Sequence, residues 1–375
     1  MTRPLETLTD QGVAVWVDSI ARDWLHKGEL RRLRDEYSVV GVTSNPTIFQ
    51  KAMGEGSFYD DDIARLAREG LDARRIFEAL ALDDIRAAAD DMEPAYQRTG
   101  GMDGRISFEL PPDIANDTEA SIREARRLFD ELARPNVFIK IPATAAGVPA
   151  VRASIAAGIN VNVTLIFSIE RYREVMDAFM SGLEDLADSG GDLTEIASVA
   201  SFFVSRVDSN VDKKLQAVID RGGSVAEQAR SRLGTAAIDN AKLAWEAFEE
   251  QFGTARWQAL AGEGARPQRP LWASTSTKNP AYRDVLYVEE LIARGSVNTM
   301  PIETLDAFQD HGEIRGQTIL EDMERAHRLW SDLGELGIEE ADVMRELEDE
   351  GVERFADSYN GAVDTIEAKR AEVAR

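Results

Sequence analysis

The sequence contains no cysteine and only three histidines among its 375 residues. Without cysteine there is no disulfide, thiol nucleophile or thiolate metal ligand. Three scattered histidines also make a His-rich metal site or a Ser-His-Asp triad a poor hypothesis. No apolar run reaches the roughly 18 residues of a membrane-spanning helix, and the first residues lack the basic start and apolar run of a signal peptide. We therefore expect a cytoplasmic protein that binds no metal and no membrane.

Positive charge is also scarce, because 43 Lys and Arg residues face 68 Asp and Glu residues, for a net charge of −25. A protein this acidic binds nucleic acid and anionic membranes poorly, which excludes both as expected partners. A small anion can still bind where a few basic side chains converge. The hydrophobic fraction of 43% allows a sizeable core and excludes global disorder, and the length suits one large barrel or two modest domains.

Short apolar runs alternate with helical patterns along the chain, without an obvious short-period repeat or a low-complexity tract. Runs rich in Val, Ile and Phe predict strands. The eight predicted strands lie at residues 13–17, 39–43, 105–110, 136–141, 160–165, 198–203, 270–274 and 296–299. Helical patterns lie between them, for example at 118–132, 168–182 and 279–294, with longer helical stretches at 59–98 and 208–251 and after residue 318.

Eight strands alternating with helices predict an α/β protein with a (β/α)8 TIM barrel fold. A doubly wound sheet is the competing fold, but it would usually carry a glycine-rich phosphate turn after its first strand, and here that strand ends at Asp18 without one. We expect a single domain over residues 1–375, with a helical insertion at about 59–98 between the second and third strands and a helical C-terminal extension at about 318–375. Both are expected to pack beneath the barrel.

Catalytic residues of such barrels lie at the carboxyl ends of the strands, where the side chains converge on the mouth. Polar residues at or near the ends of the predicted strands therefore form the candidate site. They are Asp18, Thr43, Asn45, Glu109, Lys140, Asn162, Thr164, Ser201, Arg206, Ser274 and Lys278.

Lys140 interrupts the run at 137–142, which is otherwise apolar. Lysine is almost never fully buried without a specific reason. On an edge strand it would face solvent, but a closed barrel has no edges and helices cover its outer face. Burial favours the neutral amine, which can attack a carbonyl group to form a Schiff base. We therefore interpret Lys140 as the nucleophile.

The two carboxyl groups have structural alternatives. Asp18 could cap a following helix or act as a general acid and base at the mouth. Glu109 could face water beside the loop, or serve proton transfers near Lys140 because their strands are consecutive in sequence.

The remaining candidates are also open to two interpretations. Arg206 and Lys278 follow the sixth and seventh strands, where many barrels bind phosphate, but they could equally be solvent-exposed cations. Asn162 and Thr164 share one face of their strand, although threonine is also an ordinary strand residue.

Four segments together resemble transaldolases. GVTSNPT at 41–47 resembles the family segment T-S/T-N-P-S/T, and NVFIKIPAT at 136–144 resembles the family's lysine strand. NVNVTLIFS at 160–168 resembles N-x-T-L-x-F-S, and SFFVSR at 201–206 resembles S-x-F-V-x-R. The segments occur in the family's order and the resemblance covers most of the chain. The length and the acidic tail are most similar to a bacterial subgroup with longer chains.

The resemblance implies a transferase of the pentose phosphate pathway that acts through a Schiff base. It would move a dihydroxyacetone unit from sedoheptulose 7-phosphate to glyceraldehyde 3-phosphate, giving erythrose 4-phosphate and fructose 6-phosphate. Lys140 would form the Schiff base, and Asp18 would take the C4 hydroxyl proton and later return it. Glu109 and Thr164 would hold the water that carries protons. No metal or organic cofactor is implied, because the protonated imine is itself the electron sink.

The resemblance also implies which residues bind sugar phosphates. Asn45, Asn162 and Ser201, together with Thr43, would bind the three-carbon unit or nearby hydroxyl groups, and Arg206 would bind the phosphate. Many relatives read S-F-R-N after the seventh strand, whereas this chain reads STSTKN at 274–279. Lys278 would then be the second phosphate ligand, as a point charge rather than a planar fork.

Two other functions stay open from the sequence. A fructose 6-phosphate aldolase would use the same lysine but release dihydroxyacetone to solvent; by resemblance, Phe203 and the long chain favour transfer. A barrel that has lost catalysis and serves as a scaffold is disfavoured by the presence of Asp18, Glu109, Lys140 and Thr164 together. The sequence does not decide the oligomeric state, and a homodimer is one option.

Overall fold

The structure is a computed structural model that describes residues 3–373. Eight parallel strands pair in sequence order and close into a barrel, which confirms the predicted fold class. The strands are β1 (Ala14–Val17), β2 (Val39–Thr43), β3 (Arg105–Glu109), β4 (Val137–Pro142), β5 (Val161–Ile166), β6 (Ser198–Phe203), β7 (Arg269–Ala273) and β8 (Val297–Met300).

Helices occupy most of the remaining described chain. Before β5 these are α1 (Pro4–Asp10), α2 (Arg22–Lys27), α3 (Glu29–Glu36), α4 (Pro46–Gly54), α5 (Asp60–Arg68), α6 (Ala73–Arg98), α7 (Thr118–Leu132) and α8 (Gly147–Ala156). After β5 they are α9 (Ile169–Asp188), α10 (Ser205–Arg221), α11 (Ala226–Ser231), α12 (Ala236–Phe252), α13 (Ala255–Gly262), α14 (Leu286–Glu290), α15 (Ile302–His311), α16 (Met323–His327), α17 (Leu329–Glu335) and α18 (Glu340–Val373). Short 3₁₀ turns lie at Pro112–Ile114, Leu193–Glu195 and Thr318–Leu320. Within the described residues, no helix combines the length and the apolar character that crossing a membrane requires.

The floor of the barrel interior is aromatic. The rings of Trp16 on β1 and Phe138 on β4 stack with their centroids 6.1 Å apart. The Trp16 ring fits because β2 has a glycine beside it: a Cβ atom on Gly41 would lie 2.3 Å from the ring. Successive strand side chains alternate between the two faces of the sheet, so Asp18 and Lys140, two residues further on, stand above this floor at the mouth.

The predicted helix at 279–294 is largely wrong, since only α14 (Leu286–Glu290) is helical there. The sequence Asn279-Pro280 explains part of the difference, because the Asn279 side chain accepts a hydrogen bond from the backbone N–H of Ala281 at 3.0 Å and closes a local turn. Proline also disfavours helical backbone in the residue before it.

The expectation that the insertion and the tail pack beneath the barrel is also wrong. Helix α6 packs against β2 and β3 on the side of the barrel, and α18 packs against α4, α6, α10 and the carboxyl end of β5. Phe355 of α18 lines the cavity at the mouth. Apolar residues of α18, such as Phe355 and Ile366, are buried against these elements, so the tail covers the end at which the strand side chains converge.

Candidate active site

A cavity of about 100 Å³ opens at the carboxyl ends of the strands. Eight of the ten predicted site residues line it: Asp18, Thr43, Asn45, Lys140, Thr164, Ser201, Arg206 and Lys278. The other two contact this set directly, because Glu109 bonds to Lys140 and Asn162 to Ser201. The structure therefore brings all ten together at one place. Ser274, which the sequence also singled out, lines the cavity as well.

Lys140 is the central group of the cavity and is only 4% exposed. Its Nζ donates to the Glu109 Oε2 atom and to the backbone carbonyl oxygen of Ser44, both at 3.0 Å. The Glu109 contact follows from the register, since Glu109 pairs with Lys140 across β3 and β4. The Ser44 carbonyl was missed by the sequence analysis, because a backbone acceptor has no signature in residue types. Two acceptors hold the amine in one place while it remains at the cavity wall.

Asp18 is held by a short chain of hydroxyl groups. Thr43 Oγ1 donates to Asp18 Oδ1 at 2.6 Å and lies 2.7 Å from Thr299 Oγ1. A hydroxyl has one proton to give, so Thr299 is the donor to Thr43. The helix-cap interpretation of Asp18 is wrong, because α2 begins at Arg22 and its N-cap residue is Ala21. Asp18 is therefore available to the cavity with a fixed orientation.

Burial raises the pKa of both carboxyl groups. The pKa of Asp18 is raised chiefly by removal from water, against the opposing effects of the Thr43 hydrogen bond and the charge of Lys140. The pKa of Glu109 is raised for the same reason and opposed by its contact with Lys140. A carboxyl group with a raised pKa can accept and return a proton closer to neutral pH, which suits general acid and base catalysis.

Asn162 lies behind the cavity wall in a hydrogen-bond chain. Its Oδ1 atom accepts from Ser201 Oγ at 2.7 Å, and its Nδ2 donates to Ser107 Oγ at 3.0 Å. The Asn162 side chain is fully buried, so in this structure it orients Ser201. Thr164 lies two residues further along β5, and within the described chain its buried Oγ1 atom has no hydrogen-bond partner.

Asn45 caps the N-terminus of α4 in addition to lining the cavity. Its Oδ1 atom accepts from the backbone N–H of Ile48 at 3.1 Å and caps the first turn of α4. An asparagine has a second polar group, so its Nδ2 stays available to the cavity that Asn45 lines.

Two cations that follow β6 and β7, Arg206 and Lys278, also line the cavity. The guanidinium of Arg206 lies over the rings of Phe203 and Phe355, at 5.0 and 5.8 Å from their centroids. Lys278 stands at the exposed rim and hydrogen-bonds to Ser276. Partial burial, followed by the charge of Arg206, lowers the pKa of Lys278, which indicates that the two cations face the same space. Among the described residues, no group of three or more His, Asp or Glu side chains is placed to hold a metal ion.

A bulge in β5 shapes the mouth beside Thr164. Leu165 has a φ of 59°, which is unusual for a residue other than glycine, and the pairing of β5 with β6 shifts between Val163 and Ile166. Bulges of this kind occur next to active sites because they redirect side chains. Here the bulge carries the Leu165 side chain toward Gly351 of α18.

Besides Thr299, Ser276 and Pro301, the sequence analysis missed one aromatic side chain of the cavity, Phe355. It lies in an acidic helical stretch far from the barrel strands in sequence, without a motif around it. The only signal is an aromatic residue four positions after a glycine, and because Tyr359 follows four positions later in the same stretch, this signal does not by itself indicate a site.

The chain resembles known proteins over nearly its whole length. The model of the Transaldolase/Fructose-6-phosphate aldolase family matches residues 15–366. A protein named Transaldolase from Parafrankia sp. (strain EAN1pec) is 53% identical over 366 residues, covering 98% of each chain. Proteins of the same name are 50% identical in Thermobifida fusca (strain YX), covering 98% of each chain, and 50% identical in Mycobacterium bovis (strain BCG / Pasteur 1173P2), covering 95% of this chain and 94% of the relative.

These matches include every strand of the barrel and the helix that covers its mouth. Together with the buried lysine between two carboxyl groups and two cations, they show that the chain belongs to the transaldolase/fructose-6-phosphate aldolase family.

Proposed function

We propose that the chain is a transaldolase of the pentose phosphate pathway. It would transfer a dihydroxyacetone unit from sedoheptulose 7-phosphate to glyceraldehyde 3-phosphate, giving erythrose 4-phosphate and fructose 6-phosphate. The full-length identity of about half to proteins named Transaldolase supports this activity. The observation that carries the mechanism is the Lys140 amine, buried at the barrel mouth and 3.0 Å from the Glu109 carboxylate.

The first stage forms the Schiff base. Lys140 passes a proton to Glu109 and its nitrogen attacks C2 of the ketose to give a carbinolamine, and the C2 oxygen then leaves as water to give the protonated imine. These steps need protons to leave the nitrogen and reach the oxygen. Glu109, at 3.0 Å from the nitrogen, is placed to take and return them, directly or through a water held with the Thr164 hydroxyl group.

The second stage breaks the carbon–carbon bond. Asp18 takes the proton of the C4 hydroxyl, the C3–C4 bond breaks, and its electron pair moves into the imine to give an enamine. The aldehyde leaves, another aldehyde binds, and the same steps run in reverse. Thr43 holds the carboxyl of Asp18 by a 2.6 Å hydrogen bond, so the base keeps its orientation through both halves of the reaction.

The charge of the cavity favours phosphorylated sugars. Arg206, Lys278 and Lys140 outnumber the two carboxyl groups there, although the protein as a whole carries −25. Arg206 can grip phosphate with two parallel N–H bonds, and the aromatic rings beside it restrict its movement. Arg206 and Lys278 are therefore assigned to the substrate phosphate, and Asn45 and Ser201 to the hydroxyl groups of the bound unit.

The second candidate is a fructose 6-phosphate aldolase, which the family description also includes. It would cleave the donor by the same steps and then hydrolyse the enzyme-bound unit. Products measured with and without an aldose acceptor separate the two activities. A non-catalytic scaffold would bind sugar phosphate without forming an adduct. A homodimer and a cytoplasmic location stay predictions, and sedimentation velocity tests the first of them.

Borohydride trapping with fructose 6-phosphate tests the proposal. We expect a single reduced three-carbon adduct on the peptide that contains Lys140, and no adduct in Lys140→Ala. Lys242 is an internal control, because it is also buried but its Nζ donates to the Glu321 carbonyl oxygen at 2.7 Å outside the cavity. An unlabelled Lys140 in folded protein, or equal labelling of Lys242, would contradict the mechanism.

A further inference from the structure

The C-terminal helix α18 packs directly against the β5 bulge at the barrel mouth. A Cβ atom on Gly351 of α18 would lie 3.0 Å from the Leu165 Cδ2 atom, which is tighter than ordinary van der Waals contact. The helix can lie this close because residue 351 has no side chain. The left-handed backbone of Leu165 and the glycine opposite it therefore set the height of α18 above the cavity.

One turn further along, Phe355 reaches down from α18 into the cavity. Its side chain is 5% exposed, and its ring centroid is 5.8 Å from both the Lys140 Nζ atom and the Arg206 Cζ atom. An apolar ring from the helix that covers the mouth therefore lies next to the nucleophile. The ring also contacts Arg206, the cation that is assigned to the phosphate. It therefore borders the space that the three-carbon unit occupies while it is bound to Lys140.

The three-carbon unit bound to Lys140 as an enamine can react in two ways. Attack of the enamine carbon on an aldehyde forms a new C–C bond and gives the imine of the longer ketose, which water then hydrolyses to release the transfer product and the Lys140 amine. Alternatively, that carbon takes a proton, water adds to C2, and the C–N bond breaks, which returns the amine and releases dihydroxyacetone. Both routes end with water adding to C2 and free the Lys140 amine; they differ in whether the enamine carbon reacts with an aldehyde or takes a proton. Excluding water from a closed site limits the leakage of solvent protons to a reactive intermediate such as this enamine.

We propose that Phe355 is a specificity-determining residue, which favours transfer over hydrolysis by keeping proton-donating water away from the enamine carbon of the Lys140-bound unit. The inference rests on the proposed transaldolase function. According to this inference, the C-terminal helix contributes to which of the two activities of the family the protein has. Gly351 contributes by letting α18 pack close enough to Leu165 for the Phe355 ring to reach the cavity.

Cleavage of fructose 6-phosphate without an acceptor measures the hydrolytic route. Glyceraldehyde 3-phosphate is removed by a coupled dehydrogenase, so every further turnover must end with protonation of the enamine carbon and hydrolysis of the resulting imine. The kcat at saturating donor then reports hydrolysis independently of phosphate affinity. We expect Phe355→Ala to raise this kcat about tenfold or more, equivalent to a barrier lowered by about 1.4 kcal/mol, with Phe355→Leu in between.

Tyr359→Ala is the matched control. Tyr359 lies on the same helix and packs its ring against Phe77 and Arg74, away from the cavity. The substitution removes an aromatic ring from α18 and enlarges a separate pocket that Tyr359 shares with Asn45 and Glu109. It keeps the Phe355 ring over Lys140, however, so the hydrolytic kcat is expected to stay near that of the wild type. An equal rise in both alanine variants would overturn the assignment to Phe355, as would an unchanged kcat in folded Phe355→Ala.

Gly351→Val is a second variant that keeps Phe355 and lifts the helix from Leu165. This variant is expected to raise the same hydrolytic kcat. An unchanged kcat in folded protein would contradict the role of the contact between Gly351 and Leu165. A wild-type protein that makes no sedoheptulose 7-phosphate from fructose 6-phosphate and erythrose 4-phosphate would instead refute the proposed function. The two failures are therefore distinguishable.

Discussion

Replacing Asp208 by asparagine is expected to stabilise the protein at neutral pH and to leave its stability at acid pH almost unchanged. Asp208 lies on α10 and is 2% exposed. Its Oδ1 atom accepts from the Ala237 N–H at 2.7 Å, and its Oδ2 atom accepts from the Tyr287 hydroxyl at 2.8 Å. Burial, followed by the charge of Asp212 one turn away, raises the pKa of Asp208 from 3.8 to about 7, against these two hydrogen bonds.

The sign and size of the effect follow from proton linkage. Between the unfolded pKa of 3.8 and the folded pKa of about 7, the folded protein keeps a proton that the unfolded chain has released. The free energy of unfolding therefore falls by about 1.4 kcal/mol for each pH unit in this window. Over the whole window Asp208 costs about 4 kcal/mol, of which about 3 kcal/mol is lost between pH 5 and pH 8.

Asparagine cannot ionise but can keep both contacts. Its amide oxygen can accept from Ala237, and its NH2 group can donate to the Tyr287 oxygen. Urea denaturation at pH 5 and pH 8 should therefore show Asp208→Asn gaining about 3 kcal/mol on the wild type between the two pH values. Asp220→Asn is the control, because Asp220 is exposed on the same helix. Parallel profiles for the wild type and Asp208→Asn would refute the reasoning.

Three further predictions concern the cavity. Arg206→Ala should lower kcat/KM for glyceraldehyde 3-phosphate as acceptor about 100-fold, because charge-assisted bonds to phosphate are lost, while D-glyceraldehyde should be affected little; an equal loss for both would contradict the phosphate role. Asp18→Asn should lower cleavage by about 10²–10⁴-fold yet still form the imine, so borohydride should trap a six-carbon adduct on Lys140 where the wild type gives three carbons. Asn45→Ser should keep the thermal midpoint, since serine caps helices as well as asparagine, while KM for fructose 6-phosphate rises through loss of the Nδ2 donor. A lowered midpoint with unchanged KM would leave Asn45 as a cap only.

The sequence predicted the barrel well because its strands are short apolar runs whose positions do not depend on distant contacts. All eight predicted strands correspond to observed ones, and β2 and β6 have the predicted bounds. Lys140 was predictable for the same reason, as a charge inside such a run. The contact of Lys140 with Glu109 was also foreseeable, since consecutive parallel strands of a barrel are neighbours.

The errors share a physical cause, which is that long-range contacts decide them. Residues 279–294 have helical periodicity, but Tyr282 and Tyr287 are bound to Asp212 and Asp208 of α10, and the chain follows those contacts. The end of the barrel on which α18 packs likewise depends on which surface its apolar face meets. Phe355 could not be assigned to the cavity without that knowledge, and its residue type resembles any other core position in an amphipathic helix.

Because α18 follows all eight strands in the chain, the barrel can close before α18 covers its mouth. Chains emerge from the ribosome amino terminus first, so all eight strands are available once β8 has emerged at Met300, well before Phe355. A nascent chain at that stage can assemble Lys140, Glu109 and Asp18 while the nucleophile still faces water. A protease that cut within α18 would produce the same arrangement from mature protein. A form in which the lysine is assembled but uncovered can therefore arise at either end of the protein's life, and if Phe355 has the proposed role, we expect that form to release dihydroxyacetone instead of transferring it.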